Sequence, residues 1–192
     1  MEITIVGTGF IGRTLGGALS RAGHRVTYGS RHAENEAGVP ENAPVVALAE
    51  ALSHADVVIL ALPGAAVADL TAEHGGSLGG TLVIDATNRM GAEVVNARAS
   101  LPPTVRYARA FNTLGGENMA DPVFGGERAD MFFSAPPSDR ATVEAVIDGV
   151  GLRPIYVGED QEAVIDCLFK LWIALAVTQG RGRRLALRLL EG

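Results

Sequence analysis

Short runs of β-branched and other apolar residues alternate with alanine- and leucine-rich stretches from the first residue onward. The pattern predicts strands at 3–6, 25–28, 45–46, 57–61, 82–85 and 105–108, with helices near 10–22, 47–53, 64–74 and 91–100. The helices carry apolar residues at a spacing of three and four. The strand runs are nearly continuously apolar rather than alternating, which is the pattern of strands covered on both faces. Strands separated by helices make βαβ units and a parallel sheet.

Beyond residue 110 the pattern changes. Residues 111–128 are rich in Gly, Asn and Asp and show no clear period. A structureless stretch of that length is uncommon in a compact domain, so it is read as a functional loop. The alternation resumes with a strand at 131–134, a helix at 138–150 and a strand at 153–157. It closes with a helix over 159–178, a glycine-containing break at 180–182 and a short helix to 190. One domain over 1–192 is expected, its C-terminal helices (159–192) packing on it or at a dimer interface. Leu168, Leu171, Trp172, Leu175 and Ala176 form an apolar stripe on the closing helix. With the last helix, the apolar surface favours a homodimer.

Composition narrows the partners. The chain has 192 residues, 47% of them hydrophobic, and a net charge of −6. Nucleic-acid binding asks for a basic face, so no such partner is expected. The longest apolar stretch, 164–177, is broken by Asp166 and Lys170 and is too short for a bilayer of about 30 Å, so no membrane partner is expected either. The start lacks the basic, apolar layout of an export signal. The single cysteine, Cys167, allows no internal disulfide and no Cys-based metal site, and reads as a small core residue. The expected location is the cytoplasm.

Gly7-Thr8-Gly9-Phe10-Ile11-Gly12 follows the first strand and opens the first helix, the context in which G-x-G-x-x-G binds a dinucleotide. Gly7 permits the tight turn, Gly9 lets the backbone approach a pyrophosphate, and Gly12 lets the helix pack on the strand. The helix N-terminus offers free N–H groups to the anion. The fold class is therefore α/β, a Rossmann-type doubly wound, mostly parallel sheet with C-terminal helices.

The end of the second strand selects the cofactor. NAD binders usually carry an acid there for the ribose 2′-hydroxyl. This chain instead runs Tyr28-Gly29-Ser30-Arg31-His32. Ser30 can donate to a 2′-phosphate, and Arg31 can neutralise it while stacking on adenine, with His32 and Arg13 as possible assistants. The expected cofactor is NADP(H). The rest of its wall is expected at the ends of the fourth and fifth strands, from Leu62, Pro63, Thr87 and Asn88, with Asp85 and Asn88 equally suited to capping turns.

Over nearly its whole length the chain resembles the NADP-dependent reductases of coenzyme F-420, a deazaflavin, and their bacterial relatives. The resemblance rests on GTGFIGRTLGGALSRAGHRVTYGSR, on ALP at 61–63, DATN at 85–88, AFNTLGGENMADPVFGG at 110–126 and GLRPIYVG at 151–158. It implies that Thr8, Phe10 and Ile11 touch the pyrophosphate, Ser30 and Arg31 the 2′-phosphate, and Leu62 and Pro63 the nicotinamide side. It also implies that Asn112, Thr113 and Leu114 bind the second redox substrate, a deazaflavin or a flavin. The chain departs from the family at Phe10, where archaeal members carry Asn, and at Ser134–Ser138, where relatives often have a Gly-Asp-Asp turn.

Hydride transfer between two stacked rings needs positioning above all, so no catalytic acid and no metal are expected. His24, His54 and His74 read as structural. Two alternatives stay open. One is reduction of a small-molecule carbonyl or imine, for which Lys170, the only lysine, is the available proton donor unless it merely snorkels. The other is a non-catalytic NADP(H) sensor.

Overall fold

The computed structural model describes residues 1–31, 39, 43–88 and 96–192. Strand β1 (Glu2–Val6) leads into helix α1 (Phe10–Arg21), followed by β2 (Arg25–Ser30), β3 (Val45–Ala47), α2 (Leu48–Leu52), β4 (Val57–Leu60), α3 (Val67–His74), β5 (Leu82–Asp85) and β6 (Arg106–Arg109). These six strands are parallel and lie in the order β3-β2-β1-β4-β5-β6. That is the doubly wound order with its switch point between β1 and β4, where such sheets bind ligands at their carboxyl ends.

The sheet is extended beyond β6 by β9 (Asp130–Ser134), which meets it antiparallel at Arg109 and Ser134, and then by β10 (Arg153–Gly158), parallel to β9. Helix α5 (Arg140–Gly149) joins these two strands. Alternate residues of the central strands feed two apolar layers. Ile3, Ile5, Val57, Ile59, Leu82 and Ile84 meet Leu15 and Leu19 of α1 on one face. Val6, Val58, Leu60 and Val83 meet Leu48, Leu52, Val67 and Leu70 on the other. Burial on both faces is why the strands read as unbroken apolar runs.

Several expectations are corrected. The 111–128 stretch contains helix α4 (Gly116–Ala120) and a hairpin of β7 (Val123–Phe124) with β8 (Glu127–Arg128). The helix expected over 91–100 lies outside the described residues for 91–95, and its described part holds a 3-10 turn at Arg98–Ser100. The closing helix α6 (Glu162–Ile173) continues as a π-helical turn, Ala174–Thr178, but no helix follows it. Gly180 and Gly182 take positive φ, and the chain runs back as an irregular strap. Its carbonyls are claimed from outside: Asn118 Nδ2 donates to the carbonyls of Arg183 and Leu185, and Trp172 Nε1 to that of Leu185. Carbonyls bonded in this way are not left for the i+4 amides that a helix requires.

The apolar stripe of α6 divides. Ile165, Phe169, Trp172 and Ala176 are buried, whereas Val164 and Leu171 are exposed. Cys167 is exposed rather than in the core. Among the described residues no helix is long and apolar enough to cross a membrane.

Candidate dinucleotide site

A cavity of about 300 Å³ opens at the switch point, lined by the turn after β1, the end of β2, the end of β4 and one face of α3. Each element reaches it for a local reason. Gly7 has φ +112, and a Cβ there would stand 2.4 Å from the carbonyl oxygen of Ala61. The β1 turn and the end of β4 therefore touch backbone to backbone. A Cβ on Gly12 would lie 1.9 Å from the Gly7 carbonyl oxygen, so α1 sits directly on the turn. A Cβ on Gly9 would meet no protein atom within 4 Å. Packing accounts for two of the three glycines, and the third faces open space.

The first intrahelical bond of α1 runs from the Arg13 amide to the Gly9 carbonyl at 3.0 Å. Among the described residues no side chain caps this end, and no acid lies in its first turn. The preceding amides and the positive end of the helix dipole remain available for an anion.

Ser30 is the last residue of β2, paired with Ala47 of β3, and Arg31 follows it on the cavity wall. Arg31 is exposed and has no ion-pair partner among the described residues. The expected assistant His32 lies outside the described residues.

Of the residues expected at the cofactor, Gly7, Thr8, Gly9, Ser30, Arg31, Leu62 and Pro63 line this one cavity. Phe10, Ile11 and Gly12 lie beside it in the first turn of α1, and the side chains of Phe10 and Ile11 rest against Gly116 of α4. Thr87 and Asn88 follow β5, away from the cavity wall; Thr87 is buried and Asn88 partly so. Asn112, Thr113 and Leu114 are buried beyond the end of β6. Thr113 Oγ1 contacts the Met131 sulfur at 3.6 Å, and Asn112 Nδ2 donates to Asp166 Oδ1 at 3.3 Å. Just before them Phe111, also buried, holds φ +61, a strained conformation for a bulky side chain.

Sequence reasoning missed the polar network beneath this end of the sheet. Arg109 is fully buried and donates to Asp166 Oδ1 from Nε (3.0 Å) and Nη2 (2.8 Å), and to the Thr87 carbonyl from Nη1 (2.7 Å). Asp85, also fully buried, lies 3.2 Å from Arg109 Nη1. It accepts from the amides of Thr87 and Ala97 and from the Tyr107 hydroxyl. Asp85 thus caps the turn that follows β5. Burial, with Asp85 beside it, raises the Tyr107 hydroxyl far above the usual phenol range. Burial pulls Arg109 down, but the surrounding carboxylates outweigh it and raise the group further. The signal was a charge inside each of three apolar runs, at Asp85, Arg109 and Asp166. Thr87 Oγ1, Asn88 Oδ1 and Asn112 Oδ1 are buried and have no hydrogen-bond partner among the described residues. Among the described residues no cluster of His, Cys, Asp and Glu is arranged to hold a metal.

The glycine turn, the switch-point cavity and the end of β2 all fall within the part of the chain that matches a known family model. Residues 2–89 match the family model described as NADP oxidoreductase, coenzyme F420-dependent. The match covers just under half of the chain and includes every wall of the cavity. Among solved structures, the chain is similar to a protein of Arthrobacter sp. FB24 described as a candidate F420-dependent NADP-reductase, at 26% identity and TM-score 0.81, covering 98% of this chain and 99% of that one. It is also similar to a hypothetical protein of Sinorhizobium meliloti, at 25% identity and TM-score 0.70, covering 100% and 96%. An imine reductase of Streptomyces aurantiacus shares the fold at 17% identity and TM-score 0.71, with 94% of this chain matched to 64% of that one.

Proposed function

We propose that this protein is an NADP(H)-dependent oxidoreductase that moves a hydride between NADPH and a deazaflavin of the coenzyme F-420 type, or a flavin-like acceptor. The observation that carries the reading is Arg31. It is a cation at the end of β2, in the position where an NAD binder keeps a carboxylate, on the same cavity as the glycine turn, and among the described residues it forms no ion pair. The residues present fit the cofactor: Gly9 leaves room for the pyrophosphate, the amides of the first α1 turn face no competing cap, and Ser30 with Arg31 suits a 2′-phosphate.

When bound, NADPH supplies the hydride. The chain's own part is to bind and orient. Leu62 and Pro63 flank the turn at the end of β4, and the Arg109 network fixes the segments that end β5 and β6. Among the described residues no histidine lines the cavity, and Lys170 is exposed on α6. This favours an acceptor that takes a hydride between stacked rings over a carbonyl or imine that needs a proton donor. The exposed side of α6 is proposed as the contact for a second copy of the chain.

The test is anaerobic NADPH oxidation with coenzyme F-420 and, in parallel, FMN and FAD, using Arg31→Ala as the specificity control. Turnover with the deazaflavin is expected. The loss of one charge-assisted contact, about 1.5–3 kcal/mol, should weaken NADPH roughly 10- to 100-fold and leave NADH unchanged. Tight NADPH binding with no turnover on any acceptor would turn the reading to carbonyl and imine substrates or to a sensor.

A further inference from the structure

Helix α4 touches the dinucleotide turn on one side and the C-terminal strap on another. A Cβ on Gly116, its first residue, would stand 2.6 Å from Phe10 Cε1 and 2.6 Å from Ile11 Cδ1, so the α4 backbone lies directly on the first turn of α1. Asn118, one position past Glu117, is fully buried, and its Nδ2 donates to the strap carbonyls of Arg183 at 2.8 Å and Leu185 at 3.0 Å. Around it, Arg183 pairs with Glu117, and Arg184 with Asp121 at the end of the helix.

A helix of five residues does not hold itself, because its first turn costs more chain entropy than its few bonds return. It is fixed by what it touches. Met119 anchors α4 in the core, and α1 and the strap fix it from outside. The dependence runs the other way as well. Phe10 is 57% exposed, so the orientation of its ring depends on the α4 backbone against which it rests. Phe10 and Ile11 open α1, and their amides lie in the uncapped turn that the cofactor reading assigns to the pyrophosphate.

We infer that docking of the strap sets the affinity of the glycine turn for the dinucleotide, with Asn118 and Gly116 as positioning residues; the inference rests on the NADP(H) reading above. With the strap docked, α4 holds Phe10 and Ile11, and through them the first turn of α1, in the geometry that receives the pyrophosphate. With the strap released, Asn118, Glu117 and Asp121 lose their partners and the turn loses its support. Such a coupling is reciprocal, so bound dinucleotide also tightens the strap. Ser30 and Arg31 lie on another wall of the cavity. NADPH and NADH are therefore affected alike.

The experiment compares the wild type with two full-length variants. Arg183→Ala/Arg184→Ala unties the strap from α4. Arg188→Ala removes a charge from the same strap, but its partners, Glu127 and the Arg128 carbonyl, lie on the β7–β8 hairpin. Affinities for NADPH and NADH are read from dihydronicotinamide fluorescence, and docking from backbone hydrogen exchange of residues 183–189 with and without NADPH. The double variant is expected to raise strap exchange and to bind both nucleotides roughly tenfold more weakly, a typical coupling strength, with their ratio unchanged. Arg188→Ala should bind both as the wild type does. Saturating NADPH should slow strap exchange in the wild type by a factor similar to that loss of affinity.

Unchanged affinity in the double variant while its strap exchange rises overturns the inference. Unchanged strap exchange in that variant also overturns it, because these contacts then do not dock the strap. A loss larger for NADPH than for NADH, or an equal loss in Arg188→Ala, would mark plain charge attraction instead of a relay through α4. The cofactor reading survives each of these results, whereas failure of the wild type to bind NADPH overturns both. All three arginines are on the surface, so the variants should fold, and a cooperative melting transition verifies it.

Discussion

The guanidinium of Arg109 on β6 donates twice to a single carboxylate oxygen of Asp166 on α6, at 3.0 and 2.8 Å, and both residues are buried. This contact fastens the closing helix to the carboxyl end of the parallel sheet. The same guanidinium holds the Thr87 carbonyl, and the same carboxylate accepts from Asn112. The segments that follow β5 and β6 are therefore positioned through one ion pair. Removing one partner leaves a buried charge uncompensated, at a cost of about 3–5 kcal/mol. Arg109→Met should lower unfolding stability by about that amount in urea titration. A loss under about 1 kcal/mol would show that the network does not hold this end of the sheet.

The glycine turn separates folding from binding. Gly12→Ala drives a Cβ into the Gly7 carbonyl and should destabilise by at least about 1–3 kcal/mol. Gly9→Ala meets no protein atom, and its backbone, φ −68 and ψ −176, suits alanine. It should cost no more than about 1 kcal/mol, the scale of a helix-cap change, yet abolish measurable NADPH binding by calorimetry. Equal NADPH affinity in Gly9→Ala and the wild type would place the pyrophosphate elsewhere.

The place of the glycine turn and of the end of β2 was legible because each is a local pattern, and residues 7–9 and 30–31 meet on one cavity as a strand-turn-helix unit beside a parallel strand requires. The Arg109 network was not, because Arg109 lies 24 residues from Asp85 and 57 from Asp166. Only the sheet order and the docking of α6 bring them together. The tail failed for a related reason. Its leucines and arginines suit a helix locally, but Asn118 and Trp172 offer its carbonyls better partners from distant parts of the chain. The loop at 111–128 hid a short helix and a hairpin because α4 is held by Phe10 and Ile11 against Gly116, a contact with no local period.

The strap reports its own docking. Arg183 pairs with Glu117, Arg184 with Asp121 and Arg188 with Glu127, while the Leu189 amide donates to Asp130. The hydrogen bond from Arg183 holds the Glu117 carboxyl below its ordinary range. A depressed carboxylate contributes in full above its unfolded pKa, and that contribution is lost as pH falls through the folded value. The strap should therefore loosen in acid, below the ordinary glutamate range. Trp172, the only tryptophan, donates to the strap at Leu185 and lies under Arg183, so its emission should shift there. Glu117→Gln should already show the shifted emission at neutral pH. Identical acid profiles for the wild type and Glu117→Gln would mean that Glu117 does not tether the strap.

Val164, Cys167 and Leu171 of α6, with Ala174 at the start of the π-helical turn that continues it, lie along one face and are all exposed, with Val164 44% and Leu171 45% accessible. The opposite face, Ile165, Phe169 and Trp172, already belongs to the core. An apolar strip on a helix whose other side is buried suits a two-fold contact, in which the strip of one copy meets the same strip of the next. A dimeric mass is therefore expected in sedimentation at micromolar concentration. Leu171→Glu places like charges opposite each other across such an axis and should yield a monomer with an unchanged melting profile for the isolated fold. A wild type that sediments as a monomer would remove the dimer from the proposed function. A Leu171→Glu variant that stays dimeric would move the interface to another surface.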